Sequence, residues 1–115
     1  MALGDQVYAM REVVGVPGVY EHHGIDGGND EIIHYYKGLE VSAITRTPRD
    51  LLARGGCIFV KHRSMAYLPH VVVQRAESRL DEQQYDLRTN NCEHFANWCK
   101  TGRSDCEQLA GFGLQ

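Results

Sequence analysis

The sequence lacks the features of nucleic-acid-binding, membrane-spanning and secreted proteins. It has no basic run, and its net charge of −3 at pH 7 does not favour nucleic acid or adsorption on anionic membrane by charge alone. No apolar run approaches the ~20 residues that span a bilayer. Residues 1–5 lack the charged and apolar regions of a signal peptide. We therefore expect a cytoplasmic protein without a transmembrane anchor or a nucleic-acid partner.

The sequence also lacks the cysteine spacing that two common uses of cysteine require. The four cysteines form no Cys-x-x-Cys pair, so neither a structural zinc site nor a disulfide framework is predicted. No metal and no cofactor are expected. The 115 residues are enough for one hydrophobic core, and a single domain over residues 1–115 is predicted.

The order of the predicted elements places most strands before the helices. Alternating patterns predict strands at 5–11, 19–26, 31–36 and 40–44, and an apolar, β-branched run predicts a buried strand at 57–61. Thr47 and Pro48 are typical of an N-cap and a first helical residue, and Pro69 begins a second predicted helix. This order predicts an α+β fold, in which an antiparallel sheet packs against a C-terminal helix.

That C-terminal helix begins at a cysteine. Asn91 is a strong N-cap residue, which makes Cys92 the first helical residue and puts Gly102 at the C-terminal stop. The helix dipole and the free N–H groups of the first turn would lower the pKa of the Cys92 thiol. Helical spacing puts Cys92, Phe95, Ala96 and Cys99 on one core-facing stripe. A reactive thiol and an inert buried thiol are both compatible with this pattern.

Two of the six histidines lie where a hairpin would bring them together. If residues 27–29 form the loop, Asp26 faces Asp30 and His22 faces His34, so both imidazoles share a sheet face. A two-residue loop would shift the register by one and separate them. His22 would then serve as a base for a cysteine and His34 would orient it, unless the pair belongs to a polar solvated face. His94 is interpreted as a structural residue near the helix start.

These residues together resemble the lecithin:retinol acyltransferase family. The resemblance rests on the blocks Tyr-Glu-His-His-Gly-Ile at 20–25, Ile-His-Tyr at 33–35, Arg-Ala-Glu at 75–77 and Asn-Cys-Glu-His-Phe at 91–95. It implies a circularly permuted, papain-like thiol hydrolase fold of the NlpC type, in which the histidine strands precede the cysteine helix. By position, Cys92 resembles the family nucleophile, His22 its base and His34 its orienting histidine.

The resemblance implies acyl transfer through a thioester on cysteine. The acyl donor would be a phospholipid or a related acyl ester, and the acceptor an amine, an alcohol or water. Backbone N–H groups at the helix start would hold the oxyanion. Tyr20 is a candidate hydroxyl donor to the same site, and Asn91 is better explained as a cap. The alternatives are an NlpC-type amidase or peptidase and an interaction domain without turnover.

The sequence also departs from the family. Several members end in a membrane anchor, whereas this sequence ends at Gln115 without one, so lipid would be reached by transient adsorption on a membrane surface. His23 stands where those members have an aromatic residue. The segment associated with retinoid specificity is absent, so retinol is not the expected acceptor. These differences leave the three catalytic candidates in place and leave the substrate open.

Overall fold

The computed structural model describes residues 2–12, 19–37, 42–86 and 90–103, and the structural statements below concern these residues. They contain five strands and three helices: β1 (Gln6–Glu12), β2 (Val19–Gly28), β3 (Glu31–Lys37), β4 (Ser42–Pro48), α1 (Arg49–Ala53), β5 (Phe59–Lys61), α2 (Pro69–Glu77) and α3 (Cys92–Thr101). The strands form one antiparallel sheet in the order β4-β3-β2-β1-β5. The predicted α+β class with an antiparallel sheet is confirmed.

The sheet buries apolar side chains on both faces, because successive residues of a strand point to opposite sides. On one face, α2 and α3 pack against the sheet through a cluster that includes Ile25, Ile33, Tyr35, Ile44, Val72, Ala76, Phe95 and Cys99. On the other face, Leu52 of α1 packs against Val7, Ala9 and Ile32. Since Ile32 and His34 are two residues apart in β3, His34 lies on the α1 face.

The register of the β2–β3 hairpin differs from the predicted one by two residues. Asn29 and Asp30 form a two-residue turn with φ values of 56° and 59°, the conformation of a type I′ turn. Gly28 pairs with Glu31 next to this turn, whereas Asp26 pairs with Ile32. The predicted three-residue loop at 27–29, with Asp26 opposite Asp30, is therefore wrong.

A β-bulge explains why the two histidines nevertheless share a face. The two-residue turn alone would place His22 and His34 on opposite sides of the sheet, since a register change of one reverses every side chain. The irregularity between Asp26 and Gly28 adds one residue to β2, which places His22 on the same side of the sheet as His34. Asp26 Oδ1 accepts a hydrogen bond from the backbone N–H of Gly28 at 2.9 Å, which stabilises this bulge.

The cysteine helix has the predicted ends. The Asn91 side chain accepts from the backbone N–H of His94 at 2.9 Å, and His94 Nδ1 accepts from the backbone N–H of Asn91 at 3.0 Å. This reciprocal capping box satisfies two donors and uses a histidine in place of the usual Glu or Gln. Gly102 ends the helix with φ of 81°. The predicted cap, stop and structural role of His94 are confirmed.

Two other predictions fail at places where local pattern and tertiary packing disagree. The predicted buried strand at 57–61 is the three-residue strand β5, which pairs with β1 at the sheet edge, and Phe59 is 45% exposed. Thr47 does not cap α1, because Thr47 and Pro48 both belong to β4 and α1 begins at Arg49 without a side-chain cap bond. The predicted start of a strand at Glu40 and the tail after Arg103 lie outside the described residues.

Gly24 allows β2 to approach β3 closely beside His34. A Cβ atom at position 24 would lie 2.5 Å from Ile32 Cγ2 and 3.0 Å from His34 Cβ. We expect Gly24→Ala to lower the free energy of unfolding by about 1–3 kcal/mol, since overpacking a core forces such shifts. Urea denaturation measures this change. Gly56→Ala, at an exposed position, is the matched control, and equal stability of the two variants would contradict the predicted contact.

Candidate functional site

Two histidines form the centre of the site. His22 Nε2 lies 2.9 Å from His34 Nδ1, and the two rings meet edge to face with centroids 5.2 Å apart. His34 is 1% exposed, and its Nε2 lies 2.8 Å from Thr47 Oγ1 at the end of β4. The structure thus brings the two predicted histidines together, although the register that suggested it was wrong.

Burial and nearby cations keep both imidazoles neutral. The pKa of His22 is held well below 6.5, first by burial and then by repulsion from His34 and from Arg11. Burial, followed by repulsion from Arg11 and Arg54, lowers the pKa of His34 to about 4. At neutral pH each ring therefore has one N–H donor and one lone pair. One nitrogen of His22 bonds His34, and the other can accept a proton when it carries the lone pair.

Cys92 lies against the strand that carries His22. Its side chain is 4% exposed and belongs to the cluster formed by α2, α3 and the sheet, as the predicted stripe requires. The sulfur is 3.8 Å from the backbone carbonyl oxygen of Glu21, the residue that precedes His22. The β2–β3 pairs extend from Gly28 to Ile25 of β2, so Glu21 lies beyond the paired part of the hairpin. The thiol therefore lies beside β2 where that strand is no longer paired with β3. It belongs to the cluster on the α2–α3 side of the sheet, whereas His22 and His34 lie on the α1 side.

A cleft of about 440 Å³ opens beside the histidine pair. Its wall includes both histidines. The same wall contains Tyr20, which is 39% exposed, and Leu51, which is 41% exposed. The described lining contains cations and no carboxylate, and the cations are Arg11, Lys37 and Arg54. The cleft is therefore electropositive, although the whole chain has a net charge of −3.

The two other predicted site residues, Tyr20 and Asn91, occupy different places in the structure. Tyr20 lines the cleft and is available to a bound molecule. Asn91 is buried and its side-chain oxygen caps α3, in agreement with its interpretation as a cap. Arg11 and Thr47 were not identified from the sequence: Arg11 occurs in an ordinary alternating strand, and Thr47 has the local signature of an N-cap.

His23 takes part in a separate polar network on the other face of the sheet. Gln6 Nε2 donates to His23 Nδ1 at 3.1 Å, and His23 Nε2 lies 3.0 Å from Glu21 Oε1. The His23 ring also stacks on Tyr8, with centroids 5.3 Å apart. His23 therefore occupies a ring-stacking position, and both of its ring nitrogens have hydrogen-bond partners.

The buried histidines predict a definite pH dependence of stability. The pKa values of His22, His23 and His34 are lowered in the folded chain, first by burial in each case, and that of His34 lies at about 4. The unfolded chain binds more protons between pH 4 and 6.5, so the stability present above pH 6.5 is lost as the pH falls. From roughly 1.4 kcal/mol per pKa unit, the contribution of His34 alone is on the order of 3 kcal/mol.

Urea unfolding at about pH 7.5 and about pH 5 measures this loss. We expect a lower free energy of unfolding at the lower pH and a shallower dependence in His34→Asn. A free energy that stays constant or rises on acidification would contradict burial of neutral histidines.

The part of the chain that the structure describes contains neither a metal-binding cluster nor a helix that could span a membrane. Within residues 2–12, 19–37, 42–86 and 90–103, no group of three or more His, Cys, Asp or Glu side chains could hold a metal ion. In the same part of the chain, no helix combines the length and apolar composition that crossing a membrane requires.

The candidate catalytic groups on this α+β scaffold are a buried cysteine at a helix start and, on the neighbouring strand, a histidine bonded to a second histidine. The family described as "Lecithin retinol acyltransferase" matches residues 1–105, and the chain belongs to this family. The bovine (Bos taurus) protein named "Lecithin retinol acyltransferase" is 42% identical over 55 residues. That match covers 44% of this chain and 24% of the bovine protein, so the chain matches about a quarter of its relative.

Proposed function

We propose that this protein is a cysteine-dependent acyltransferase, or phospholipase A-type hydrolase, that acts through an acyl thioester on Cys92. The observation that carries the proposal is the 2.9 Å contact between His22 Nε2 and His34 Nδ1, on the strand whose Glu21 carbonyl contacts the Cys92 sulfur. Membership of a family of acyltransferases supports the same chemistry. No cofactor is needed for this reaction.

Each of the three residues has one role. Cys92 is the nucleophile, and as the first residue of α3 it lies at the positive end of the helix dipole, which favours the thiolate. His22 accepts the thiol proton and later returns it. His34 bonds the second nitrogen of His22 and fixes the orientation of that ring, the role of the third member of a catalytic triad.

The reaction has two balanced halves. In the first, His22 takes the thiol proton, the sulfur attacks the ester carbonyl, and the C–O bond breaks as the alcohol leaves with the proton from His22. In the second, His22 removes a proton from an amine, an alcohol or water, which attacks the thioester carbonyl. The C–S bond breaks, and the proton returns to the sulfur.

The oxyanion of each half-reaction needs donors that exist before the substrate binds. Backbone N–H groups at the start of α3, including that of Cys92, are the proposed donors, because the N–H groups of the first turn lie at the positive end of the helix dipole. The Tyr20 hydroxyl is a further candidate because Tyr20 lines the cleft. The side-chain oxygen of Asn91 already accepts from His94 N–H, which leaves Asn91 the role of a cap.

The charge of the cleft supports an anionic acyl donor. Arg11, Lys37 and Arg54 line a cleft in which the described wall has no carboxylate, so a phosphate group next to the scissile ester would be attracted. Tyr20 and Leu51 provide exposed apolar surface at the same cleft, as a protein that adsorbs transiently on lipid requires. A glycerophospholipid has both the phosphate and the acyl ester.

The element order also supports the proposed relationship to permuted papain-like enzymes. Strands β2 and β3 carry the two histidines and precede α3, which carries the cysteine. A papain-like thiol hydrolase has its cysteine helix before its histidine strand, so this chain would be a circular permutation of that arrangement.

Intact-mass measurement of the full chain with a short-chain phosphatidylcholine tests the proposal. We expect a mass increase of one acyl group, removed by hydroxylamine and absent in Cys92→Ser. Absence of both an adduct and free fatty acid with any phospholipid supplied would refute the proposal. Cleavage of peptides or peptidoglycan fragments without ester cleavage would instead assign an amidase, and inertness toward both would assign an interaction domain.

A further inference from the structure

The second nitrogen of His34 is bonded to a buried threonine. Thr47 is 4% exposed, and its Oγ1 lies 2.8 Å from His34 Nε2. In the β3–β4 register Thr47 pairs with Ile32, so its side chain lies on the same sheet face as His34, one diagonal position away. The contact therefore extends the histidine pair into a chain of three side chains, from His22 through His34 to Thr47.

The direction of the hydrogen bonds in this chain depends on the threonine hydroxyl. Thr47 Oγ1 also lies 3.2 Å from the backbone carbonyl oxygen of Pro48, an atom that only accepts. A hydroxyl has a single hydrogen, so when it donates to Pro48 it can only accept from His34. His34 then holds its proton on Nε2, and its Nδ1 accepts from His22 Nε2–H.

We propose that Thr47 is a positioning residue that sets the tautomers of both histidines and leaves the lone pair of His22 on Nδ1. This is the nitrogen of His22 that does not bond His34, and it is the one available to take a proton. The opposite direction, with Thr47 donating to His34, would put a proton on His22 Nδ1 and remove the base. The catalytic consequence rests on the proposed function, whereas the tautomers do not.

Nitrogen-15 NMR of the imidazoles tests the proposal without any substrate. In full-length protein with labelled histidine near neutral pH, we expect His22 and His34 both to be Nε2–H tautomers. Thr47→Val keeps the shape and removes the acceptor, so both rings should move towards the Nδ1–H form. Thr47→Ser keeps the hydroxyl and should keep the wild-type tautomers.

Thr45→Val is the matched control, because Thr45 is paired directly with His34 across β3 and β4, but its hydroxyl donates to the Ala43 carbonyl oxygen at 3.0 Å. It should leave the tautomers unchanged. An Nδ1–H form of His22 in the wild-type protein would overturn the proposal, even if Thr47→Val does not fold. Unchanged tautomers in a folded Thr47→Val would overturn it as well.

Kinetics provide the second readout. Where ester turnover is found, we expect kcat of Thr47→Val to fall by at least about tenfold with little change in KM, since a mispositioned base costs transition-state stabilisation. Thr47→Ser should stay within about threefold of wild type. Failure to find turnover counts against the proposed function alone, because the tautomers are measured independently of it. A folded Thr47→Val with altered tautomers but wild-type kcat would refute the catalytic consequence of Thr47.

Discussion

Replacement of Cys92 by alanine is expected to reduce acyl release by about 10⁴-fold or more, as loss of the nucleophile does in other covalent enzymes. No other described thiol can replace it. Cys57 is exposed and lies before the edge strand β5, and burial raises the pKa of Cys99 to about 12. The measurement is fatty-acid release from a short-chain phospholipid under saturating conditions.

Cys99→Ala is the matched control for this experiment. Cys99 lies on the same helix, is fully buried, and belongs to the same core cluster as Cys92. Its replacement should lower the free energy of unfolding by about 1 kcal/mol through the small cavity that it leaves, with kcat unchanged. Equal loss of turnover in both variants would show that activity depends on packing of α3, and would contradict a specific role for the Cys92 thiol.

Replacement of His22 by alanine is expected to reduce kcat by about 10²–10⁴-fold, the usual contribution of a positioned general base. Added imidazole should restore part of the activity, since it can occupy the vacated space and accept the thiol proton. In the wild-type protein, activity should persist below pH 6.5, because burial holds the pKa of His22 well below that value.

His70→Ala provides the comparison, because His70 is an exposed residue of α2. This variant should retain wild-type kcat and show no response to imidazole. Full activity of His22→Ala, or loss of wild-type activity as the pH falls through about 6.5, would contradict the assignment of His22 as a base with a lowered pKa.

The sequence predicted those parts of the fold that depend on local chemistry. Asn91 and Gly102 are strong cap residues with few alternatives, so both ends of α3 could be predicted. Pro69 is at the first helical position of α2 for the same reason. The position of Cys92 at the helix start and the contact between His22 and His34 could also be predicted, because both are visible as patterns in the sequence.

The parts that could not be predicted depend on distant partners. The residues of β5 have a strand-forming pattern, but their burial depends on the number of neighbouring strands, and β5 pairs with β1 at the edge of the sheet. Thr47 followed by Pro48 satisfies the local rules for a helix start, yet the buried His34 nitrogen provides a stronger partner for its hydroxyl. The positive charge of the cleft could not be predicted from a sequence whose net charge is −3, because the local potential depends on where the fold places each charged side chain.

The bulge in β2 has a consequence for which insertions and deletions the hairpin accepts. Two features of the hairpin each shift the pairing of β2 and β3 by one residue, and so each reverses which side of the sheet the paired residues face. They are the turn at Asn29 and Asp30 and the bulge between Asp26 and Gly28, and their two effects cancel. A single-residue insertion or deletion here would move His34 to the opposite side of the sheet, and His22 would lose its contact with His34. Homologous hairpins that keep both histidines together are therefore expected to differ in length by even numbers of residues.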